Sequence, residues 1–178
     1  ICGYRKEVSQ ERYPDLTYVE NKDWENNNIL LSLLCAREHL TGGFVSTYAD
    51  IVYRKEIVRD LVASKHAIAL GCDTAWRQRY VGRSDHPETD AEKLRAEGER
   101  VVEISRRLVS EEAQGEFIGV MKLDPTGTQQ FLAAFDEAEK AFGGGMFREG
   151  RTFQKAYLLD LLQYMIERNT AIHRVDTY

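Results

Sequence analysis

One carboxylate, Asp50, stands where the strand-like run FVSTYADIVY (residues 44–53) gives out. A helix-like segment, residues 28–40, precedes the run and ends on Gly42-Gly43; a second, residues 55–63, follows it. In open α/β sheets ligands bind outside the carboxyl ends of strands. Mg²⁺ needs only one or two carboxylates there, because phosphate oxygens and water complete its shell. Asp50 therefore has two readings: a Mg²⁺ ligand facing a phosphate, or the N-cap of the helix that follows. Asp73 and Trp76 follow another apolar run, residues 66–71, which places them on the same sheet edge as Asp50. An indole face beside a carboxylate can hold a cation; the alternative is a Trp that covers the core beneath a loop.

Other polar groups carry weaker signals. Asn26, Asn27 and Asn28 precede a helix, where Asn is a favoured cap and where the helix end also attracts anions. Arg77, Arg79 and Arg83 suit a solvated surface, whereas Arg106-Arg107 follows a strand and could fork onto a phosphate. Gly115 and Gly119 bracket Glu116-Phe117-Ile118 at a strand start. Glycine there marks either a close approach of a ligand or backbone, or a turn with a bulge. The phosphate-loop pattern GxxxxGK[ST], the dinucleotide pattern GxGxxG and the esterase pattern GxSxG do not occur.

The elements that must position these residues alternate. Cys2 ends a strand at Gly3, residues 6–11 form a short helix stopped by Pro14, and residues 16–19 read as a strand. Residues 28–40 and 55–63 have helical apolar spacing, with Ile57, Val58, Leu61 and Val62 on one face of the second. Strand and helix in alternation up to residue 72 predict a βαβ pattern with a parallel sheet and helices on both faces. Residues 73–91 read as a polar excursion. Residues 92–96 and 100–104 form a hairpin around Gly98, and 117–123 a further strand. Residues 126–142 and 152–168 read as helices capped by Thr126 and Thr152, and 171–175 as the last strand.

The chain of 178 residues is long enough for one domain with a sizeable core. Its net charge of −5 argues against a general nucleic-acid binder, and no apolar run reaches the roughly 20 residues of a membrane span. Cys2, Cys35 and Cys72 are odd in number and widely spaced, which disfavours a disulfide framework or a zinc site and suits a reducing, cytoplasmic setting.

Together, several segments resemble the sugar-phosphate nucleotidyltransferase family. They are Cys2-Gly3-Tyr4, ENKDWENNNILLSLLCAR (20–37), STYADIVY (46–53), DTAWRQRYVGRSDHPETDAEKL (73–94) and GEFIGV (115–120). The likeness is greatest to the phosphocholine and phosphonate cytidylyltransferases, including those fused to phosphoenolpyruvate-mutase-like domains. It implies a Rossmann-like three-layer α/β/α domain spanning residues 1–178, with a mostly parallel mixed sheet. The reaction it implies joins a nucleoside monophosphate, from CTP by preference, to a small phosphorylated or phosphonylated acceptor and releases pyrophosphate.

By this resemblance Asp50 matches the Mg²⁺-binding Asp, with Asp176 as a candidate second ligand in a Val175-Asp176-Thr177 segment. Asn28 and Ser32 match polar positions near the active site, Asp73 and Trp76 look like part of the acceptor side, and Glu116 is a further candidate substrate-binding residue. Arg106, a candidate catalytic residue, stands where a Lys is common after the hairpin. A homodimer is compatible with the resemblance. The family's Gly-rich loop lies upstream of the Gly-Tyr turn, so the chain reads as the middle of such an enzyme, cut at both ends. Two other classes remain alongside it: a non-catalytic nucleotide- or metabolite-binding domain of the same fold, and a glycosyltransferase, which would usually show a DxD-like pair where Tyr48 precedes Asp50.

Overall fold

The computed structural model describes residues 1–149 and 152–177. Its strands are β1 (Phe44–Thr47), β2 (Ile68–Asp73), β3 (Lys93–Glu97), β4 (Arg100–Ser105), β5 (Gly115–Leu123) and β6 (His173–Thr177). They form one sheet in the order β1-β5-β2-β6-β4-β3, and β3 also pairs with β5. That last pairing closes β5, β2, β6, β4 and β3 into a ring, with β1 continuing along the edge of β5 beyond β3. Where the ladders run out, side chains take over. Gln114 Oε1 accepts from the Ala96 N–H at 2.6 Å, and Gln163 Oε1 from the Ile104 N–H at 2.8 Å.

The sheet corrects the expectation of mostly parallel pairing. Among the described strands only β2–β6 is a parallel pair; β1–β5, β2–β5, β3–β4, β3–β5 and β4–β6 are antiparallel. The helix between β1 and β2 does return the chain in the same direction, as the alternation predicts. However, β5 arrives from far along the sequence and inserts between them, antiparallel to both. The Rossmann-like, three-layer description therefore holds only as a mixed α/β architecture.

The helices are α1 (Lys6–Arg12), α2 (Ile29–Leu34), α3 (Lys55–Ala63), α4 (Trp76–Tyr80), α5 (Pro125–Phe142) and α6 (Leu158–Glu167). All six residues of β2 are buried, as a strand covered on both faces requires. On one face Leu30 and Leu33 of α2, Phe131 and Phe135 of α5 and Leu161 and Met165 of α6 pack with Leu70, Met121 and Ile104. On the other, Leu61 of α3 packs with Ala69 and Val120, flanked by Ile57, Val58 and Val175. Burying a side chain such as Leu61 contributes roughly 2 kcal/mol.

Several local expectations change. Residues 16–19 form no strand. A single parallel bridge joins Cys2 to Glu20, and the Tyr18 hydroxyl donates to the Ser9 and Tyr13 carbonyls instead. Residues 28–40 are not one helix. At Cys35 the N–H is shared between the Leu31 and Ser32 carbonyls, and the chain tightens into a 3₁₀ turn at Arg37–His39. Helix α5 is capped by Asp124, whose carboxylate accepts from the Gly127 N–H at 2.8 Å, with Pro125 in the first position. Helix α6 begins at Leu158 rather than at Thr152. The buried Asp160 carboxylate accepts from the N–H groups of Tyr157 (2.7 Å) and Glu149 (2.9 Å), fixing that start.

Candidate functional site

A cavity of about 840 Å³ opens at the carboxyl ends of β1, β2 and β6. Residues 51–54 after β1, Asp73 ending β2 and Thr177 ending β6 line it, together with Arg79 and Tyr80 of α4, Glu92, and Glu116 at the start of β5. The position follows the rule that strands deliver ligand groups at their carboxyl ends.

Backbone geometry shapes the floor. Gly119 takes φ +74, and the β2–β5 register shifts between Leu70 and Cys72. The bulge reading holds here, whereas the close approach at Gly119 is made by a side chain; a backbone comes close only at Gly115, where a Cβ would lie 3.0 Å from the Asp73 carbonyl oxygen. The Tyr48 ring lies against Gly119, where a Cβ would collide with it, and the Tyr48 N–H donates to the Gly119 carbonyl at 3.0 Å. So placed, the Tyr48 hydroxyl donates to the Glu92 carboxylate at 3.1 Å. Burial pushes the Glu92 carboxyl up to about 7, with the Tyr48 bond and Arg106 acting against the shift. Burial, and then the Glu92 charge, raise the Tyr48 phenol well above its ordinary range.

Beside this pair, the Tyr80 hydroxyl donates to Glu116 at 2.5 Å, and burial raises the Glu116 carboxyl. The buried Asp73 carboxylate accepts from the Ala75 N–H at 2.8 Å and from Arg79 Nε. Asp73 sits across from Glu116 on β5 and Thr177 on β6. The Arg83 guanidinium lies 4.9 Å from the Tyr80 ring centre. One wall thus presents carboxylates, and Arg54, Arg79 and Arg83 place cations at the same cavity. The arrangement can hold a ligand that carries an anionic group against a polar, hydrogen-bonding body.

Of the residues singled out in the sequence, Asp73 and Glu116 line this cavity. Asp50 does not line it, although its neighbours Ile51 and Val52 do. Asp50 does not cap α3, since that position belongs to Arg54. It is exposed, and its carboxylate accepts no hydrogen bond among the described residues. Asp176 is exposed near the end of β6, across from Cys72 of β2 and 3.4 Å from Arg174; Tyr178 lies outside the described residues. Arg106 faces a second cavity. Its guanidinium pairs with Asp90 at 3.0 Å and lies 5.3 Å from the Tyr157 ring centre.

Asn28 caps α2, its Oδ1 accepting from the Ile29 N–H at 2.8 Å, and its amide reaches the Lys155 carbonyl at 3.3 Å. Ser32 lies half-buried in the middle of α2, away from both cavities. Trp76 is 2% exposed, packed edge-on against Tyr80 with Arg77 over its ring. It covers the core and has no face left for an acceptor. Sequence reasoning passed over Tyr48, Tyr80 and Glu92. The available signal was a charge, Glu92, heading a strand whose Leu94 is fully buried.

No group of three or more His, Cys, Asp and Glu side chains is placed to hold a metal among the described residues. Mg²⁺ tolerates this, because one or two carboxylates suffice when phosphate oxygens and water supply the rest.

Comparison with known proteins agrees with this architecture. No family model matches the chain. A CTP:phosphoglutamine cytidylyltransferase of Campylobacter jejuni is 22% identical over 178 residues, covering 94% of this chain and 69% of that protein. The structure of the inositol-1-phosphate CTP transferase from T. maritima superposes with a TM-score of 0.69 at 17% identity, covering 98% of this chain and 63% of that one. CTP:phosphocholine cytidylyltransferase from Streptococcus pneumoniae gives 0.53 at 13% identity, covering 97% and 64%. The chain thus spans less than two thirds of the length of these two solved structures. It has the nucleotidyltransferase fold, and its resemblance is to the sugar-phosphate nucleotidyltransferase family, on the cytidylyltransferase side.

Proposed function

We propose that the protein carrying this chain is a cytidylyltransferase acting on a small phosphorylated or phosphonylated acceptor. The observation that carries the reading is the 840 Å³ cavity at the carboxyl ends of β1, β2 and β6, in a chain whose curated relative and structural neighbours include CTP-using transferases. In the proposed reaction an acceptor phosphate oxygen attacks the α-phosphorus of CTP. The bond to the β-phosphate oxygen breaks, and pyrophosphate leaves with that electron pair.

Such a step needs positioning and charge neutralisation more than covalent help. Arg54 and Arg83 would meet the anionic group of the acceptor, and Asp73 holds Arg79 in the wall. Tyr48 and Tyr80, each fixed by a carboxylate, keep the floor ordered. Asp50 and Asp176 would hold Mg²⁺, which when bound neutralises oxygens of the triphosphate.

The test is pyrophosphate release with Mg²⁺, each NTP being paired with a panel of phospho- and phosphono-acceptors, alongside Asp50→Ala. Release with CTP and one acceptor, lost in Asp50→Ala, is the expected result. Nucleotide binding without release by any pair would favour a non-catalytic binding domain of the same fold.

A further inference from the structure

We infer that the stacked rings of His66 and His173 form an acid-sensitive latch on β6, closed while the pair carries at most one proton and released when both imidazoles are charged. The ring centres lie 3.6 Å apart, and the planes are 9° from parallel. His66 stands in the loop that enters β2. His173 is the first residue of β6, across from Ala69 of β2 and Arg100 of β4. The stack therefore ties the start of β6 to the loop before β2. The cavity lined by Asp73 and Thr177 lies at the other end of the same two strands.

One proton on this pair can be met. Glu99 Oε2, in the hairpin turn, lies 3.1 Å from His66 Nε2. A carboxylate only accepts, so neutral His66 carries its hydrogen on Nε2, and a charged His66 gains an ion pair. A second proton finds nothing comparable. His173 Nδ1 is buried and has no hydrogen-bond partner among the described residues, so a charged ring would bury an N–H without an acceptor. The surrounding strands add mostly positive charge. Arg100 of β4 is held by the neutral Asn169 side chain at 2.7 Å. Lys122 of β5 donates from Nζ to the His66 and Ser64 carbonyls at 2.9 and 3.1 Å. Arg174 of β6 donates to the Gly98 carbonyl at 3.2 Å and has Asp176 beside it. Two imidazolium rings stacked face to face in this setting repel each other.

The direction of the response follows. Burial, and then the His66 charge, lower the His173 imidazole below its ordinary value; Arg100 acts the same way and Glu99 against it. A lowered His contributes stability that is present above its unfolded value and is lost as pH falls through the folded one. The latch thus holds at neutral pH and lets go on the acid side of the usual His range. Thr177 stands four residues further along β6, roughly 13 Å away. Its hydroxyl donates to the Cys72 carbonyl at 3.1 Å, so the strand that loosens is the one that delivers Thr177 to the cavity. The inference does not depend on the transferase reading, because it concerns the order of a strand and not turnover.

The test is backbone hydrogen–deuterium exchange between pH 7.5 and pH 5, corrected for the intrinsic pH dependence of exchange, on the parent, His66→Phe, His173→Phe and Glu99→Gln. In the parent, protection of residues 173–177 should fall about tenfold across this range, while residues 120–123 of β5 stay protected. Either Phe variant keeps a stacked ring that takes no proton, and its β6 should stay protected at pH 5. Glu99→Gln removes the carboxylate that meets the first proton, so its loss of protection should begin at higher pH. Unchanged protection of residues 173–177 in the parent, or an equal loss in a folded Phe variant, would overturn the inference. Should neither Phe variant fold, Glu99→Gln decides, since that side chain is exposed; a loss at the same pH as in the parent would then overturn it.

Discussion

Replacing Glu92 by Gln should stabilise the protein at pH 8 and leave it nearly unchanged at pH 5. Burial moves this carboxyl from 4.5 to about 7 in the folded chain. A raised carboxyl favours its protonated form in the fold. Its contribution is therefore fully present below the unfolded value and is lost as pH rises through the folded one. At 1.36 kcal/mol per pH unit, moving this carboxyl from 4.5 to about 7 gives about 3 kcal/mol lost as pH rises from 4.5 to above 7. The Gln variant cannot ionise, and its amide oxygen can still accept from the Tyr48 hydroxyl. Urea denaturation of both proteins across pH 5–8 measures the difference directly, because titration elsewhere cancels between them. Equal slopes with pH in the two proteins, or a Gln variant less stable at pH 8, would refute the argument.

Three further outcomes follow from the same geometry. Gly119→Ala should cost about 2 kcal/mol or more, because φ +74 is strained for Ala and its methyl meets the Tyr48 ring; chemical denaturation will show this, with a shift in Tyr fluorescence. Asp73→Ala should cost roughly 1–3 kcal/mol, since the Ala75 N–H and Arg79 lose a buried partner, measurable as a lower urea midpoint. In thiol titration at pH 8, the exposed Cys35 should react in the native protein while Cys72 stays silent until denaturant is added, since burial pushes the Cys72 thiol up to about 12.

What could be read in the sequence tracks how local the determining physics is. Helix α3 matches its expected bounds, residues 55–63, because its apolar face repeats within the segment itself. The β3–β4 hairpin was legible from Gly98, which takes φ +62 at the turn. The partner of β1 was not legible. Phe44 faces Leu123, almost eighty residues away, and nothing in either segment names the other. The site divides the same way. Asp73 was placed by its position at a strand end, whereas the Tyr48–Glu92 pair depends on β5 passing between β1 and β2. Trp76 misled for the opposite reason: residue type suggests a ligand face, but burial is settled only by packing.

The closed ring also bears on how copies of this chain can meet. Unpaired strand edges recruit the backbones of other molecules. Here β3 and β4, the members of the ring with the shortest ladders to their neighbours, have backbone N–H groups taken by Gln114 and Gln163. Among the described strands the outer edge of β1 is left, and it is four residues long. Any self-association would therefore draw its strength from side-chain surfaces, because four residues of new ladder are too few to hold two chains together.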